Sequence, residues 1–577
     1  MRESSEHTFR TFDGTELFYR SWPAPNARGA IVLFHRGHEH SGRLAHLVDE
    51  LALDDFSFYA WDARGHGRSP GPRGFSPSLG TSIRDVNDFV DEVSRHSGHP
   101  IEDIAVIAQS VGAVLAATWI HDYAPRIRCA VLASPAFKVK LYVPFARAGL
   151  SLMQRVRGNF FVKSYVKSKF LTHDPERIAS FDADPLITRD ISSNILLELY
   201  KTAERVVADA NAITVPIQLL ISGSDFVVHH APQHEFFNRL GSTIKERHVL
   251  PGFFHDTLGE KNRGDAEKLV HDFINARFND APLVVDVSHA DRSGATREES
   301  DRLATPLATF SPRGLYWSAT RLAIRAGGAF SEGLRVGQET GFDSGSTLDY
   351  VYENEPRGKS VVGRLIDRNY LNSIGWRGIR QRKANLEELI GEAMKRVGDD
   401  VRLLDVAAGH GRYVLDAIER ASVMPSSIVL RDYSDINVRK GSELIAKKGL
   451  LRIARFEKGD AFDRAGLASV TPKPNVAIVS GLYELFGDND LVARSLAGIA
   501  DAVAPGGFLV YTCQPWHPQL ELIARALTSH RGGAAWVMRR RTQNEMDQLA
   551  ERAGFRKIAQ RIDEWGIFTV SLAVREP

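Results

Sequence analysis

The sequence predicts a two-unit α/β protein, and three observations carry that prediction. Short apolar segments alternate with helical patterns from residue 1 to about 278. The same alternation resumes near residue 395. Between the two lie a polar stretch and a run of helical pattern without strand signals. Strands alternating with helices imply mostly parallel sheets, and 577 residues exceed what one domain core usually holds.

In the first unit, "GAIVLFH", "FSFYAWD", "IAVIAQS", "CAVLASP" and "IQLLISG" read as buried strands, each ending near a Gly, Ser, Asp or His. The stretch "DVSHADRSGATREESDRLATP" is polar and reads as a linker, which places linker sequence over 279–306. A helical lead-in follows over 307–394, including "KANLEELIGEAMKRV". From 395 to 577 the strand patterns are "VRLLDVA", "SSIVLRD", "NVAIVSG" and "GFLVYTC". No repeat of 20–50 residues is visible.

Composition sets broad limits. With 43% hydrophobic and 25% charged residues the chain is of globular type. A net charge of +2 carries no whole-molecule signal for nucleic acid, and no nucleic-acid partner is expected. Two distant cysteines, Cys129 and Cys513, suggest neither a disulfide framework nor a zinc cluster. The start lacks a signal-peptide pattern, and no apolar run approaches the ~18 residues of a spanning helix. A cytoplasmic protein is the expectation.

The segment "VIAQSVGAVLAA" reads as strand, sharp turn and helix, with Ser110 at the turn. A serine hydroxyl is a poor nucleophile until a base takes its proton. An elbow of this kind exposes its oxygen and aims the next backbone N–H, here that of Val111, at the developing oxyanion. Strand and helix pass close together, so small residues are needed two before and two after; Ala108 and Gly112 meet this need. A lone match would most often be a turn serine. Asp225 lies just past a later buried strand, and His255 lies on a loop before a final helix. Ser, Asp, His is the chain order such hydrolases require. Asp225 would orient the imidazole of His255, which would deprotonate Ser110.

The motifs "HRGHEHSGR", "WDARGHGRSPGPRG", "AQSVGA", "LTHDPERIASFDADPLI", "SGSDFVV" and "FFHDTLGE" resemble the monoacylglycerol lipase and lysophospholipase branch of the α/β-hydrolases, over about residues 8 to 275. The resemblance implies hydrolysis of a lipid-like carboxyl ester, with a cap over about 136–205. The family usually has His-Gly-x-Gly-Glu-His at the oxyanion loop; here it is His35-Arg36-Gly37-His38-Glu39-His40. The Arg36 amide can still donate beside that of Val111. Its bulk would be strained at positive φ, and its side chain could instead bind an anionic headgroup. The three histidines have no carboxylate-rich or cysteine pattern beside them, so no metal is expected. In the cap, Ala136 to Phe170 contains no Asp or Glu and eight Lys or Arg among apolar residues. That pattern suits peripheral contact with an anionic membrane, at the inner face for a cytoplasmic protein. It suits equally a solvated cap whose apolar side covers the pocket.

In the second unit, "VRLLDVAAGHGRYVLDAI" reads as a strand, a glycine turn and a helix. Glycines at 409 and 411 let backbone approach a ligand, though Gly-x-Gly alone is weak evidence. Asp432 ends the next strand, where a carboxylate typically binds ribose hydroxyls, and Asp460 follows a third. The third glycine of the dinucleotide fingerprint is missing, since Arg412 and Tyr413 follow, which argues against an NAD site.

The arrangement resembles class I S-adenosylmethionine-dependent methyltransferases, a Rossmann-like fold, over roughly 395 to 575. By that resemblance the cofactor is S-adenosyl-L-methionine, contacted by Asp405, Ala407, Gly409 and Gly411 on the methionine side. Asp432 would bind the ribose, Asp460 and Ala461 would flank the adenine, Tyr433 would also contact the cofactor, and Ser480 in "SGLYELFGD" opens the transfer site, where Tyr483 and Glu484 are candidates by location. The lead-in looks like that of a methyltransferase family found fused to lipase-like hydrolases; in this fold such a segment commonly covers the cofactor, which makes Tyr370, Trp376 and Arg380 candidates for substrate contact. Arg539 to Arg541 read as a solvated charge run in preference to an anion site. The methyl acceptor is not identified by the sequence. Three readings follow: a lipid-ester hydrolase fused to a methyltransferase, a pair that makes and removes methyl esters, or a methyltransferase carrying a non-catalytic lipid-docking module.

Overall fold

The computed structural model describes residues 2–142 and 145–577. The chain divides between Val285 and Asp286 into two compact units, each with its own sheet.

The first unit is built on β1 (Ser5–Arg10), β2 (Glu16–Trp22), β3 (Ala30–Phe34), β4 (Ser57–Trp61), β5 (Ile104–Gln109), β6 (Cys129–Ala133), β9 (Ile217–Ser222) and β10 (Lys245–Leu250), in the order β1-β2-β4-β3-β5-β6-β9-β10. The first two strands pair antiparallel, β2 also runs antiparallel to β4, and the remaining pairs are parallel. Strands β3 to β6 and β9 are buried at every position. That is why they appear as continuous apolar runs rather than alternating ones: helices cover both faces of a parallel sheet. Between β6 and β9 the chain leaves the sheet to form the cap. It contains helices Ala146–Arg157, Pro175–Ala183 and Ser193–Ala208 and a short antiparallel ribbon of β7 (Phe161–Lys163) with β8 (Asp190–Ser192). The cap is tied down through polar contacts. His40 Nε2 lies 2.9 Å from Asp184 Oδ2, and the Ser192 amide donates to the Gly74 carbonyl at 2.9 Å.

The second unit has seven strands: β11 (Arg402–Val406), β12 (Ser427–Asp432), β13 (Ala454–Lys458), β14 (Val476–Val479), β15 (Phe508–Cys513), β16 (Phe555–Ile562) and β17 (Thr569–Arg575). Their order is β13-β12-β11-β14-β15-β17-β16, parallel up to β15 and closed by the antiparallel β16–β17 hairpin. The order reverses beside β11, and in open α/β sheets ligands bind at such a switch point. The 24-residue helix Ile374–Val397 packs Leu386, Leu389, Ile390 and Met394 into the sheet's core at helical spacing. Each such buried side chain contributes about 1.5–3 kcal/mol.

The expected linker requires correction. Residues 286 onward belong to the second unit, and Ala295–Ala304 is a helix with Leu303 in an apolar cluster beside Trp536 and Ile523. The polar stretch that suggested a linker instead satisfies buried groups: Asp291 Oδ2 accepts the Asn489 backbone amide at 3.0 Å, and the Ser288 backbone carbonyl accepts Asn489 Nδ2 at 2.8 Å. Among the described residues no helix is long and apolar enough to cross a membrane.

Candidate active sites

Ser110 stands between β5 and helix Val111–Tyr123 with φ 56° and ψ −115°. This left-handed strain, unusual for a non-glycine residue, is what an elbow stores to present a side chain. Gly112 is fixed by sterics: a Cβ there would lie 2.5 Å from the His35 carbonyl oxygen and 2.8 Å from that of Phe34. Ala108 is inside the sheet, where one methyl is accommodated.

The structure brings Ser110, His255 and Asp225 together. His255 Nε2 is 2.8 Å from Ser110 Oγ, and its Nδ1 is 2.7 Å from Asp225 Oδ2. Asp225 Oδ1 accepts the amides of Val227 and Val228 at 2.6 and 3.0 Å. All three residues are buried. Burial favours the neutral acid at Asp225, but His255 and the amides of Val228 and Val227 outweigh it and hold the carboxyl below its ordinary value.

Arg36 is not available to an anionic headgroup. Its side chain is buried, with Nε 2.9 Å and Nη2 2.6 Å from the two oxygens of Glu39, and Nη2 also 3.3 Å from Asp256 Oδ2. A two-pronged guanidinium contact of this kind consumes the charge. Nor does the anticipated strain fall on Arg36: the left-handed residue of the loop is His38, at φ 72°. The Ala63 amide donates to His35 Nε2, which leaves the proton on Nδ1, 2.6 Å from the Arg36 carbonyl. That pins the peptide after Arg36, and Gly37 runs against Val111, whose Cγ2 would be 3.2 Å from a Cβ there. Two residues absent from the sequence reading also belong to this site. Gln109 Nε2 donates to the His255 carbonyl at 3.2 Å and to Asp256 Oδ1 at 3.1 Å. Asp256 is held in addition by Arg177 from the cap, at 3.0 Å.

The cap helix Ala146–Arg157 buries none of its residues. Leu152 and Val156 are 64% and 78% exposed, and Tyr142 is exposed beside the same basic stretch.

In the second unit a cavity of about 700 Å³ opens at the switch point. Ala407, Gly409, Gly411, Asp432, Tyr433, Asp460, Ala461 and Ser480 all line it. Ala407, Gly409 and Gly411 have φ 59°, 58° and 73°. A Cβ at Gly409 would face open space but for the Gly345 Cα at 3.5 Å, whereas one at Gly411 would strike Leu430 at 2.5 Å. Gly409 therefore serves close approach and Gly411 serves packing. Asp432 Oδ2 accepts the Gly409 amide at 3.0 Å, so this carboxylate shapes the glycine turn as well as facing the cavity. Asp460 Oδ1 accepts the Phe462 amide at 2.9 Å. The hydroxyl of Ser480 is buried without a partner among the described residues. The lead-in covers this cavity through Ser344, Gly345, Leu348 and Asp349, and Asp349 pairs with Arg412.

Four expectations change here. Asp405 does not line the cavity: it is wholly buried under the turn, where the Tyr413 hydroxyl donates to it at 2.7 Å, and burial raises its carboxyl well above the ordinary range. Tyr483 is buried, its hydroxyl 3.0 Å from Ser495 Oγ, and Arg380 caps the Leu371 carbonyl. Arg539 to Arg541 are not solvated. Each is at most 5% exposed: Arg539 pairs with Glu545, Arg540 donates to the Pro515 carbonyl, and Arg541 donates to Asn489 Oδ1 and the carbonyls of Tyr483 and Phe486.

A second cavity, of about 340 Å³, is lined by Tyr370, Trp376 and Glu484, and it shares Asp343, Leu348, Gly481 and Leu485 with the first. Arg382, Gln514 and His517 also line it and were missed, because isolated polar residues within apolar segments carry no motif.

Fold and sites together define an α/β-hydrolase-type unit followed by a methyltransferase-type unit. The chain belongs to the family described as "Putative methyltransferase", matched over residues 270–575, and residues 25–262 match the family "Serine aminopeptidase, S33". It is 58% identical to "Uncharacterized protein YnbC" of Escherichia coli strain K12, over 100% of this chain and 99% of that one. The first unit is 26% identical to the monoacylglycerol lipase of Mycolicibacterium smegmatis, over 47% of this chain and 96% of the relative. It is 25% identical to human monoglyceride lipase, over 42% and 80%. The crystal structure of Paleococcus ferrophilus monoacylglycerol lipase superposes with a TM-score of 0.42 at 24% identity, covering 45% of this chain and 99% of that one.

Proposed function

We propose that the chain carries two activities: a serine ester hydrolase acting on a lipid-like ester of the monoacylglycerol or lysophospholipid class, and an S-adenosylmethionine-dependent methyltransferase, both in lipid metabolism. The observation that carries the first is the unbroken relay from Asp225 through His255 to Ser110. Asp225 keeps the imidazole proton on Nδ1, so the Nε2 lone pair faces the Ser110 hydroxyl. Ser110 Oγ attacks the ester carbonyl as His255 takes its proton. The amides of Val111 and Arg36 receive the oxyanion, and His255 then returns the proton to the leaving alcohol; a water deprotonated by the same His255 next attacks the Ser110 acyl ester, and the fatty acid leaves as Ser110 Oγ regains its proton. The relatives' names, monoacylglycerol and monoglyceride lipase, support the substrate class. Fatty-acid release from a monoacylglycerol tests it: the intact chain should be active and Ser110→Ala should not. Equal rates would overturn the role of Ser110. A fluorophosphonate probe that fails to label the intact chain would favour a non-catalytic docking module.

The second activity rests on the fit of the larger cavity to a nucleoside carrying an amino-acid arm. Gly409 opens the turn, Asp432 would hold the ribose hydroxyls, Ala461 and Phe462 offer an apolar slot for a base, and Ser480 keeps a hydroxyl unpartnered among the described residues. When bound, S-adenosylmethionine supplies an electrophilic methyl group. The chain's task is to align an acceptor behind it and exclude water, so positioning dominates. Calorimetry with S-adenosylmethionine should show one site, lost in Gly409→Val; no heat with the intact chain would overturn this reading.

The cap's exposed Leu152 and Val156, on a helix carrying Arg155 and Arg157, support peripheral docking to an anionic lipid surface on the cytoplasmic side. Sedimentation with vesicles containing anionic lipid should fall for Leu152→Asp with Val156→Asp; equal sedimentation would overturn the docking role.

A further inference from the structure

The smaller cavity of the second unit is lined mostly by apolar side chains, with a few polar groups among them. Trp376, Ile379, Ile523, Trp536 and Phe568 form its walls. Its size falls in the range that holds small organic ligands. Its polar lining includes Glu484, Arg382, Gln514 and His517, all buried.

The hydrogen-bonding state of these groups is specific. Glu484 Oε1 lies 3.5 Å from Arg382 Nη1 and accepts from Thr512 Oγ1 at 3.5 Å, while its Oε2 is buried without a partner among the described residues. Gln514 Nε2 is likewise buried without a partner. The Gln519 amide donates to His517 Nδ1 at 3.0 Å, so the proton of the neutral ring is on Nε2 and that atom is a donor. Gly375 passes beside it; a Cβ there would be 3.0 Å from Nε2. Arg382 Nε, Trp536 Nε1 and the Tyr370 hydroxyl are likewise buried without a partner among the described residues, so the lining offers one acceptor, Glu484 Oε2, against several donors. A buried polar group left unpaired costs about 1–3 kcal/mol, so such a set selects its complement. A carboxylate can only accept and would face Glu484. An ammonium can only donate, and it would face Arg382 and the other donors. A neutral hydroxyl does both.

The geometry points to this cavity as the methyl-acceptor site, built for an apolar molecule ending in a neutral hydroxyl that His517 and Gln514 hold and Glu484 deprotonates. This rests on the methyltransferase reading, since the cavity meets the larger one at Gly481 and Leu485. The acceptor oxygen bonds the methyl carbon as that carbon's bond to sulfur breaks and leaves its pair on sulfur, and the hydroxyl proton passes to the Glu484 carboxylate. Burial raises the proton affinity of Glu484 above that of an ordinary carboxylate, with Arg382 opposing, which suits a base.

The test uses the full chain without cofactor and three probes with one tail: 1-decanol, decanoate and decylamine, titrated by calorimetry. Decanol should bind at least about tenfold tighter than either ion, and Glu484→Gln should remove most of that preference. Ile366→Trp, at a partly exposed wall position, should fill the cavity and abolish binding of decanol with the melting temperature kept. Equal affinities, tightest binding of either ion, no binding of decanol, or a preference unchanged in Glu484→Gln would each overturn the proposal. If that variant fails to fold, Ile366→Trp decides. Titration with S-adenosylmethionine is run separately: its failure beside tight decanol binding would remove the methyltransferase reading and leave the alcohol site standing.

Discussion

Arg36 Nη2 lies 3.3 Å from Asp256 Oδ2, a buried ion pair that ties the loop after β3 to the loop carrying His255. Arginine at this position therefore acts as a brace between the two sides of the hydrolase site. Removing one partner of a buried pair strands the other charges, here Glu39 and Asp256, at a cost of about 3–5 kcal/mol. Arg36→Ala should lower stability by that order and reduce kcat on a short-chain p-nitrophenyl ester more than it changes KM. Arg36→Lys, which keeps the charge but not the fork, should recover only part. Denaturant unfolding and steady-state kinetics check both; a stable, fully active Arg36→Ala would refute the brace.

Asp225 is held by two backbone amides as well as by His255, so Asp225→Asn should keep its place. The amide side chain can then donate toward Nδ1, which favours the wrong tautomer and removes the Nε2 lone pair from Ser110. Turnover should fall by roughly 10⁴-fold at pH 7 with little loss of stability. Kinetics beside a melting curve separates this from unfolding: a variant within tenfold of the parent would show that His255 is not oriented by Asp225.

What is legible in the sequence is what local chain order dictates. Ser110, Asp225 and His255 can be read because each sits just beyond a buried strand, with elbow and order carrying the meaning. The glycine turn at 409 and 411 and Asp432 are legible for the same reason. Asp256 and Gln109 were missed because their roles exist only across the fold, and the headgroup role offered for the Arg36 side chain fails because Glu39, three residues on, and Asp256, on another loop, already engage it. Asp405 misled because a carboxylate at a strand end resembles a ligand contact, whereas here it faces inward to Tyr413. Residues 286–306 misled because polarity resembles exposure, whereas Ser288 and Asp291 satisfy buried groups.

The arginines at 539 to 541 make the same point in energetic terms. A solvated arginine contributes under about 1 kcal/mol. Arg541 instead caps the carbonyls of Tyr483 and Phe486 and bonds Asn489, so Arg541→Ala should cost about 3 kcal/mol or more through unpaired buried groups. Added phosphate should not raise the melting temperature of the parent chain, because these guanidinium groups are already engaged. A mild loss in Arg541→Ala together with stabilisation by phosphate would restore an anion-binding reading.

Burial alone pushes His517 down to about 4, whereas an unfolded histidine titrates near 6.5. The unfolded chain therefore binds one more proton than the native one between these values. Its contribution to stability is complete above about pH 6.5 and is lost as pH falls toward 4, with a limiting slope of about 1.4 kcal/mol per pH unit. His517→Gln can still accept the Gln519 amide and donate into the cavity, but it cannot take up a proton. Unfolding of the second unit should thus become less acid-sensitive in His517→Gln: the variant, less stable or equal at pH 7.5, should gain on the parent steadily from pH 6.5 to 4.5. Calorimetric unfolding across that range checks it. A difference between the two proteins that stays constant with pH would mean that His517 is not held neutral in the native state.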